Sequence, residues 1–138
     1  MTEVKEQGEI PANAETVWAV VRDFGGFVEA LGGSVELEGE GIGTLRKMKM
    51  GSDMIVERLD EVHDGDMRVR YSIVEAGPLP VSEYHATMQL AKGESDSCSL
   101  TWSSTFEPAG VTEDDAVAAV QRIYRGGIKA MQRHFGPA

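Results

Sequence analysis

The chain has a single cysteine, Cys98, among 138 residues. One thiol cannot form an internal disulfide, so nothing here requires an oxidising compartment. A lone Cys in a strand-like segment reads as a small buried hydrophobe. Basic side chains are also scarce: 13 Lys and Arg stand against 23 Asp and Glu, a formal net charge of −10. Such a surface repels phosphate backbones and anionic headgroups, which argues against nucleic acid and against stable docking on acidic membranes. No apolar run approaches the roughly 20 residues that span a bilayer, so no stable membrane insertion is expected. The opening Met1-Thr2-Glu3-Val4-Lys5-Glu6 lacks the apolar core of a secretory signal, and a cytoplasmic location is expected.

Several chemical constellations are missing as well. His63, His85 and His134 are dispersed without metal-ligand spacing, so no metal and no cofactor is expected. No Gly-x-Ser-x-Gly elbow is present, which argues against a serine hydrolase. Gly39, Gly41 and Gly43 are not followed by a strand–turn–helix unit and read as turn and bulge glycines, not a dinucleotide fingerprint. There is no P-loop.

What is present has globular composition, 41% apolar and 26% charged, with no repeat and no compositional break. A single domain over residues 1–138 is expected. Residues 2–10 read as a first strand, stopped at Pro11-Ala12-Asn13. Asn13 can cap a helix carrying Ala14, Val17, Trp18 and Val21 at helical spacing. Gly25-Gly26 interrupts it, and Phe27 to Leu31 reads as a second short helix. Strands follow at Val35–Leu37, Thr44–Met50 and Met54–His63, with Asp64-Gly65-Asp66 as a hairpin signal. Met67, Val69, Tyr71 and Ile73 then alternate with polar residues. So do Tyr84, Ala86, Met88 and Leu90, and then Leu100, Trp102, Ser104 and Phe106, the period of strands with one wet face. Thr112 caps a last helix with an apolar stripe of Val117, Val120, Tyr124, Ile128, Met131 and Phe135. The order predicts an α+β fold: a meander of about six or seven strands, covered on its apolar face by one long helix.

Local motifs sharpen this. They are Ala14-Glu15-Thr16-Val17-Trp18, Gly43-Thr44-Leu45-Arg46, Glu57-Arg58-Leu59-Asp60, Gly77-Pro78-Leu79-Pro80-Val81 with Tyr84, Trp102-Ser103-Ser104, and Tyr124-Arg125-Gly126-Gly127-Ile128. In this order and spacing the chain resembles the START-like (SRPBCC) helix-grip superfamily, nearest to its polyketide cyclase/dehydrase and lipid-transport branch. Plant abscisic acid receptors and the major birch pollen allergen are more distant relatives of the same shape. The resemblance implies a curved antiparallel sheet and a long helix around a cavity for hydrophobic ligands. It places Arg46 and Glu57 inward from neighbouring strands, Tyr84 on a later strand, and Ile123 and Gly127 on the helix side. Leu79 and Pro80 would stand at the mouth. The receptor gate is not carried over: Met50-Gly51-Ser52-Asp53 is too short, and no anchoring lysine matches.

The residues themselves leave alternatives open. Arg46 and Glu57 read either as a surface ion pair or, if buried, as a pair that orients a ligand's carbonyl or hydroxyl or serves as acid or base. In the Glu57 strand, Met54, Val56 and Val62 share one parity and Ile55, Glu57 and Leu59 the other, which a bulge could reconcile. Tyr71, Tyr84 and Trp102 fit cavity lining or plain core. Gly126-Gly127 fits close packing or room for a ligand. Met48 and the other methionines fit soft walls or gap-filling. Leu59 and Tyr124, inside two of the motifs, complete the expected lining. The leading expectation is binding or transport of a small hydrophobic or amphipathic ligand. The alternatives are a polyketide cyclase/dehydrase-like enzyme and a ligand-free, oligomeric module, and a homodimer is compatible with the chain.

Overall fold

The structure, a computed structural model, describes residues 1–94 and 96–136. Strand β1 (Thr2–Ile10) is followed by α1 (Ala14–Val21) and α2 (Gly26–Ala30). Six strands come next: β2 (Glu36–Glu38), β3 (Leu45–Met50), β4 (Asp53–His63), β5 (Arg68–Glu75), β6 (Val81–Lys92) and β7 (Cys98–Pro108). The long helix α3 (Glu113–Phe135) ends the chain. All strands lie in one antiparallel sheet, ordered β1-β7-β6-β5-β4-β3-β2. Each neighbour from β2 to β7 is the next in sequence, as tight turns require. Only β1 crosses over, pairing with β7 from Thr2–Phe106 to Ile10–Cys98.

The helices start where the capping residues stand. Asn13 Oδ1 accepts from the Thr16 amide at 2.8 Å, and Thr112 Oγ1 accepts from the Asp115 amide at 3.2 Å. Glu113, Asp114 and Asp115 fill the first turn of α3, where the helix dipole favours negative charge. Ala116, Val120, Tyr124, Ile128 and Met131 bury one face of α3 over β1 and β7. Two glycines permit its close approach. A Cβ on Gly8 of β1 would lie 2.5 Å from Ile128 Cγ2, and a Cβ on Gly127 would lie 2.6 Å from Trp102 Cζ3.

Bulges settle the strand whose parity was ambiguous. The β4–β5 register shifts between Val56 and Glu57 and again between Leu59 and Glu61. Asp60 is the extra residue of the second shift. Ile55, Glu57 and Leu59 therefore face inward before it and Val62 faces inward after it, opposite Val69. A third bulge lies in β6 between Ser82 and His85, with Glu83 at φ +52°, and it turns both Val81 and Tyr84 into the core. Cys98 is buried, and burial pushes its thiol above the ordinary range, so it packs as a hydrophobe.

Candidate functional site: a cavity under the long helix

Between the sheet and α3 the packing is incomplete. A cavity of about 280 Å³ is lined by Phe27 and Val28 of α2, Met48 of β3, Ile55 of β4, Tyr71 and Ile73 of β5, Leu79, Tyr84, Trp102, and Val120 and Ile123 of α3. Arg46 and Glu57 also line it, and Gly33, Ser34, Lys49 and Met50 stand at its rim. Alternation on β3, β5 and β7 turns Met48, Tyr71, Ile73 and Trp102 to the same side, which is why one face is both core and cavity wall.

Arg46 and Glu57 are directly opposed on β3 and β4. Arg46 Nε donates to Glu57 Oε1 at 2.7 Å, with side-chain exposures of 5% and 10%. Arg46 Nη1 donates to the Phe24 carbonyl at 3.0 Å, in the break between α1 and α2. Its guanidinium lies over the Phe24 ring at 3.9 Å and near the Tyr71 ring at 4.9 Å. The surface-pair reading is therefore replaced by a buried pair. Isolated, either charge would be far too costly here, and together they are compensated.

The aromatic wall is a bonded network. Trp102 Nε1 donates to the Tyr71 hydroxyl at 3.0 Å, and the hydroxyls of Tyr84 and Tyr124 are hydrogen-bonded to each other. Trp102 stacks on Tyr124 with centroids 4.5 Å apart. Burial pushes the Tyr71 and Tyr84 phenols well above their ordinary range, and Tyr124 upward too. All three stay protonated at neutral pH. Glu57 is the one buried acidic side chain of the lining.

Eight of the residues expected from the sequence meet at the cavity: Arg46, Met48, Glu57, Tyr71, Leu79, Tyr84, Trp102 and Ile123. Three do not. Leu59 faces inward beyond the Arg46–Glu57 pair, among Phe24, Thr44 and Val62, because β4 has run past the cavity there. Tyr124 is fully buried behind Trp102 and reaches the cavity only through its bond to Tyr84. Gly127 gives its space to the Trp102 ring and not to a ligand, while nothing lies within 4 Å of a Cβ at exposed Gly126. The sequence reading missed Phe27, Val28, Ile55, Ile73 and Val120. Ile73 and Val120 were already on inward stripes, and Ile55 shares its parity with Glu57. Nothing in the local sequence marks Phe27 and Val28, which α2 brings into the lining.

Among the described residues no helix is long and apolar enough to cross a membrane, and no cluster of His, Cys, Asp or Glu could hold a metal ion. A seven-stranded sheet gripping a long helix over a lined cavity defines a helix-grip protein. Within that class the chain belongs to the family described as polyketide cyclase / dehydrase and lipid transport, whose model matches residues 1–136. The protein XoxI from Bacillus cereus is similar at 32% identity, over 98% of this chain and 96% of that one, with a TM-score of 0.89. The Zhui aromatase/cyclase from Streptomyces sp. R1128 shares the fold at 18% identity, over 96% and 92% of the two chains, with a TM-score of 0.77. So does norcoclaurine synthase from Thalictrum flavum, at 19% identity, over 96% and 91%, with a TM-score of 0.72. None of the curated proteins matches the chain.

Proposed function

We propose that the protein binds a small, mainly apolar molecule in the cavity under α3. The observation that carries this reading is the cavity itself. Native interiors are close-packed, and an unfilled volume of about 280 Å³ sacrifices dispersion contacts that a filled core would make. An apolar cavity of about 150 Å³ holds one benzene. By that measure this one suits two fused rings, or one ring with a short chain, and not a long acyl chain. Its walls are aromatic and aliphatic with a few convergent polar groups, the composition of ligand sites. Native mass spectrometry of freshly purified protein, followed by organic extraction, tests the reading. A co-purifying compound of one or two rings supports it. An unliganded protein that also takes up no such compound in a screen contradicts it.

A second reading, a cyclase or dehydrase-like enzyme, is favoured by Glu57, a buried acidic side chain at the cavity wall, paired with Arg46. Such a pair can polarise a carbonyl and move a proton. The fold-related aromatase/cyclase and norcoclaurine synthase make that chemistry compatible with the scaffold. If turnover of a poly-ketone or aromatic substrate is found, Glu57→Gln should abolish it. Turnover unchanged in Glu57→Gln and Tyr84→Phe removes both residues from any catalytic role.

A further inference from the structure

The hydrogen bonds inside the cavity are uneven. Arg46 Nε engages Glu57 Oε1, and Arg46 Nη1 engages the Phe24 carbonyl. Among the described residues, no donor reaches Glu57 Oε2 and no acceptor reaches Arg46 Nη2. Yet Glu57 is only 7% exposed and Arg46 4%. Among the described residues, Ser104 Oγ, outside the cavity lining, is the one side-chain polar atom both sealed from open space and unpaired. Glu57 Oε2 and Arg46 Nη2 therefore front open volume, and the volume that both residues line is the cavity. A buried carboxylate oxygen without a donor is costly, and a ligand that brings a donor relieves that cost.

The charge balance narrows the ligand further. The Arg46 and Glu57 charges already cancel. A carboxylate ligand would set a second anion beside Glu57, and an ammonium ligand a second cation beside Arg46. Both would be desolvated without a counter-charge. The remaining cation of the lining, Lys49, is exposed at the rim and solvated. A hydroxyl, by contrast, donates and accepts through one atom. It can give its proton to Glu57 Oε2 and take a bond from Arg46 Nη2 without adding charge. Given the ligand-binding reading above, on which this rests, we infer that the cavity selects a neutral hydroxylated aromatic of one or two rings, its hydroxyl docked on the Arg46–Glu57 pair.

Three probes on one naphthalene frame separate the possibilities: 2-naphthol, neutral at pH 7; 2-methoxynaphthalene, which accepts but cannot donate; and 2-naphthoate, an anion. Calorimetric titration of the intact wild-type protein should show 2-naphthol binding about tenfold or more tighter than the ether, with the anion weakest, because a hydrogen bond to a charged acceptor is lost in the ether. In Glu57→Gln the amide oxygen still accepts from Arg46, but the arginine charge is no longer matched. There the naphthol advantage should shrink and 2-naphthoate should become the tightest ligand. Equal affinity of naphthol and ether for the wild type, or tightest binding of naphthoate to it, overturns the inference while leaving the cavity a ligand site. Failure of all three to bind the wild type overturns both. If thermal melts show Glu57→Gln unfolded, the wild-type series still decides, since the ether keeps the naphthalene frame and the acceptor oxygen, loses the donor, and adds a methyl whose apolar burial favours it.

Discussion

The adjacent glycines of α3 give a sharp test of how the helix sits on the sheet. Each glycine inside a helix costs about 1 kcal/mol relative to alanine. At Gly126 nothing lies within 4 Å of an added Cβ, so Gly126→Ala should realise that gain in full. At Gly127 the added Cβ would stand 2.6 Å from Trp102 Cζ3 and 3.1 Å from Cη2. The Trp102 ring has little freedom to retreat. It stacks on Tyr124 at 4.5 Å, meets Phe27 edge-on at 6.0 Å, and is tied through Nε1 to Tyr71. Overpacking of this kind costs about 1–3 kcal/mol, which cancels or exceeds the helical gain. The two variants should therefore differ by about 1–3 kcal/mol, Gly126→Ala being stabilised and Gly127→Ala neutral to destabilised. For a chain of this length that is a separation of roughly 4 °C in Tm per kcal/mol. Urea denaturation with linear extrapolation, supported by thermal melts, measures it. Equal stabilisation of both variants would refute the close seat of α3 on Trp102, and with it the shape of the cavity.

The buried pair and the phenols make further expectations. Arg46→Met should destabilise by about 3–5 kcal/mol, because it strands Glu57, whereas the double variant Arg46→Met/Glu57→Leu should recover most of the loss. A urea-denaturation double-mutant cycle reads this, and a single-variant loss below about 1 kcal/mol would place the pair in solvent. Tyr84→Phe leaves the Tyr124 hydroxyl short of a partner and should cost about 1–3 kcal/mol in the same assay. Tyr71, Tyr84 and Tyr124 all have raised pKa values in the folded state, so folding favours the protonated phenols. Their contribution is fully present below the unfolded value of 10.0 and is lost as pH climbs above it toward the raised values. Stability should fall above pH 10 with up to about 1.4 kcal/mol per pH unit for each phenol, and Tyr84→Phe should remove one phenol's share of that slope. Urea titrations from pH 8 to 11 check it, and an unchanged slope in the variant would contradict the burial of that hydroxyl.

Some of this architecture is legible in the sequence, for local reasons. The period-two stripes of β5, β6 and β7 and the capping residues Asn13 and Thr112 act within a few residues of themselves, so pattern alone finds them. Arg46 and Glu57 were expected inward from the resemblance, and the structure sets them as direct cross-strand neighbours. The remainder depends on what lies opposite in space. Gly127 reads equally as room for a ligand or for packing, and only the position of Trp102 decides for packing. Tyr124 shares its stripe with Val120, yet one helical turn carries it from the cavity wall to behind Trp102. Leu59 is inward as its parity suggests, but β4 is longer than the cavity. The place of Phe27 and Val28 in the lining rests on how α2 docks, which no local spacing encodes.

The central claim is that the space under α3 is a ligand site. Methyl-resolved NMR of the protein during addition of 2-naphthol tests it most directly. Ile55, Ile73, Leu79, Val120 and Ile123 line the cavity on three different elements and the β5–β6 loop. The expected result is saturable shifts at these methyls together, with Ala118 on the outer face of α3 unmoved. Shifts confined to other methyls, or none up to the solubility limit of the probe, would contradict it.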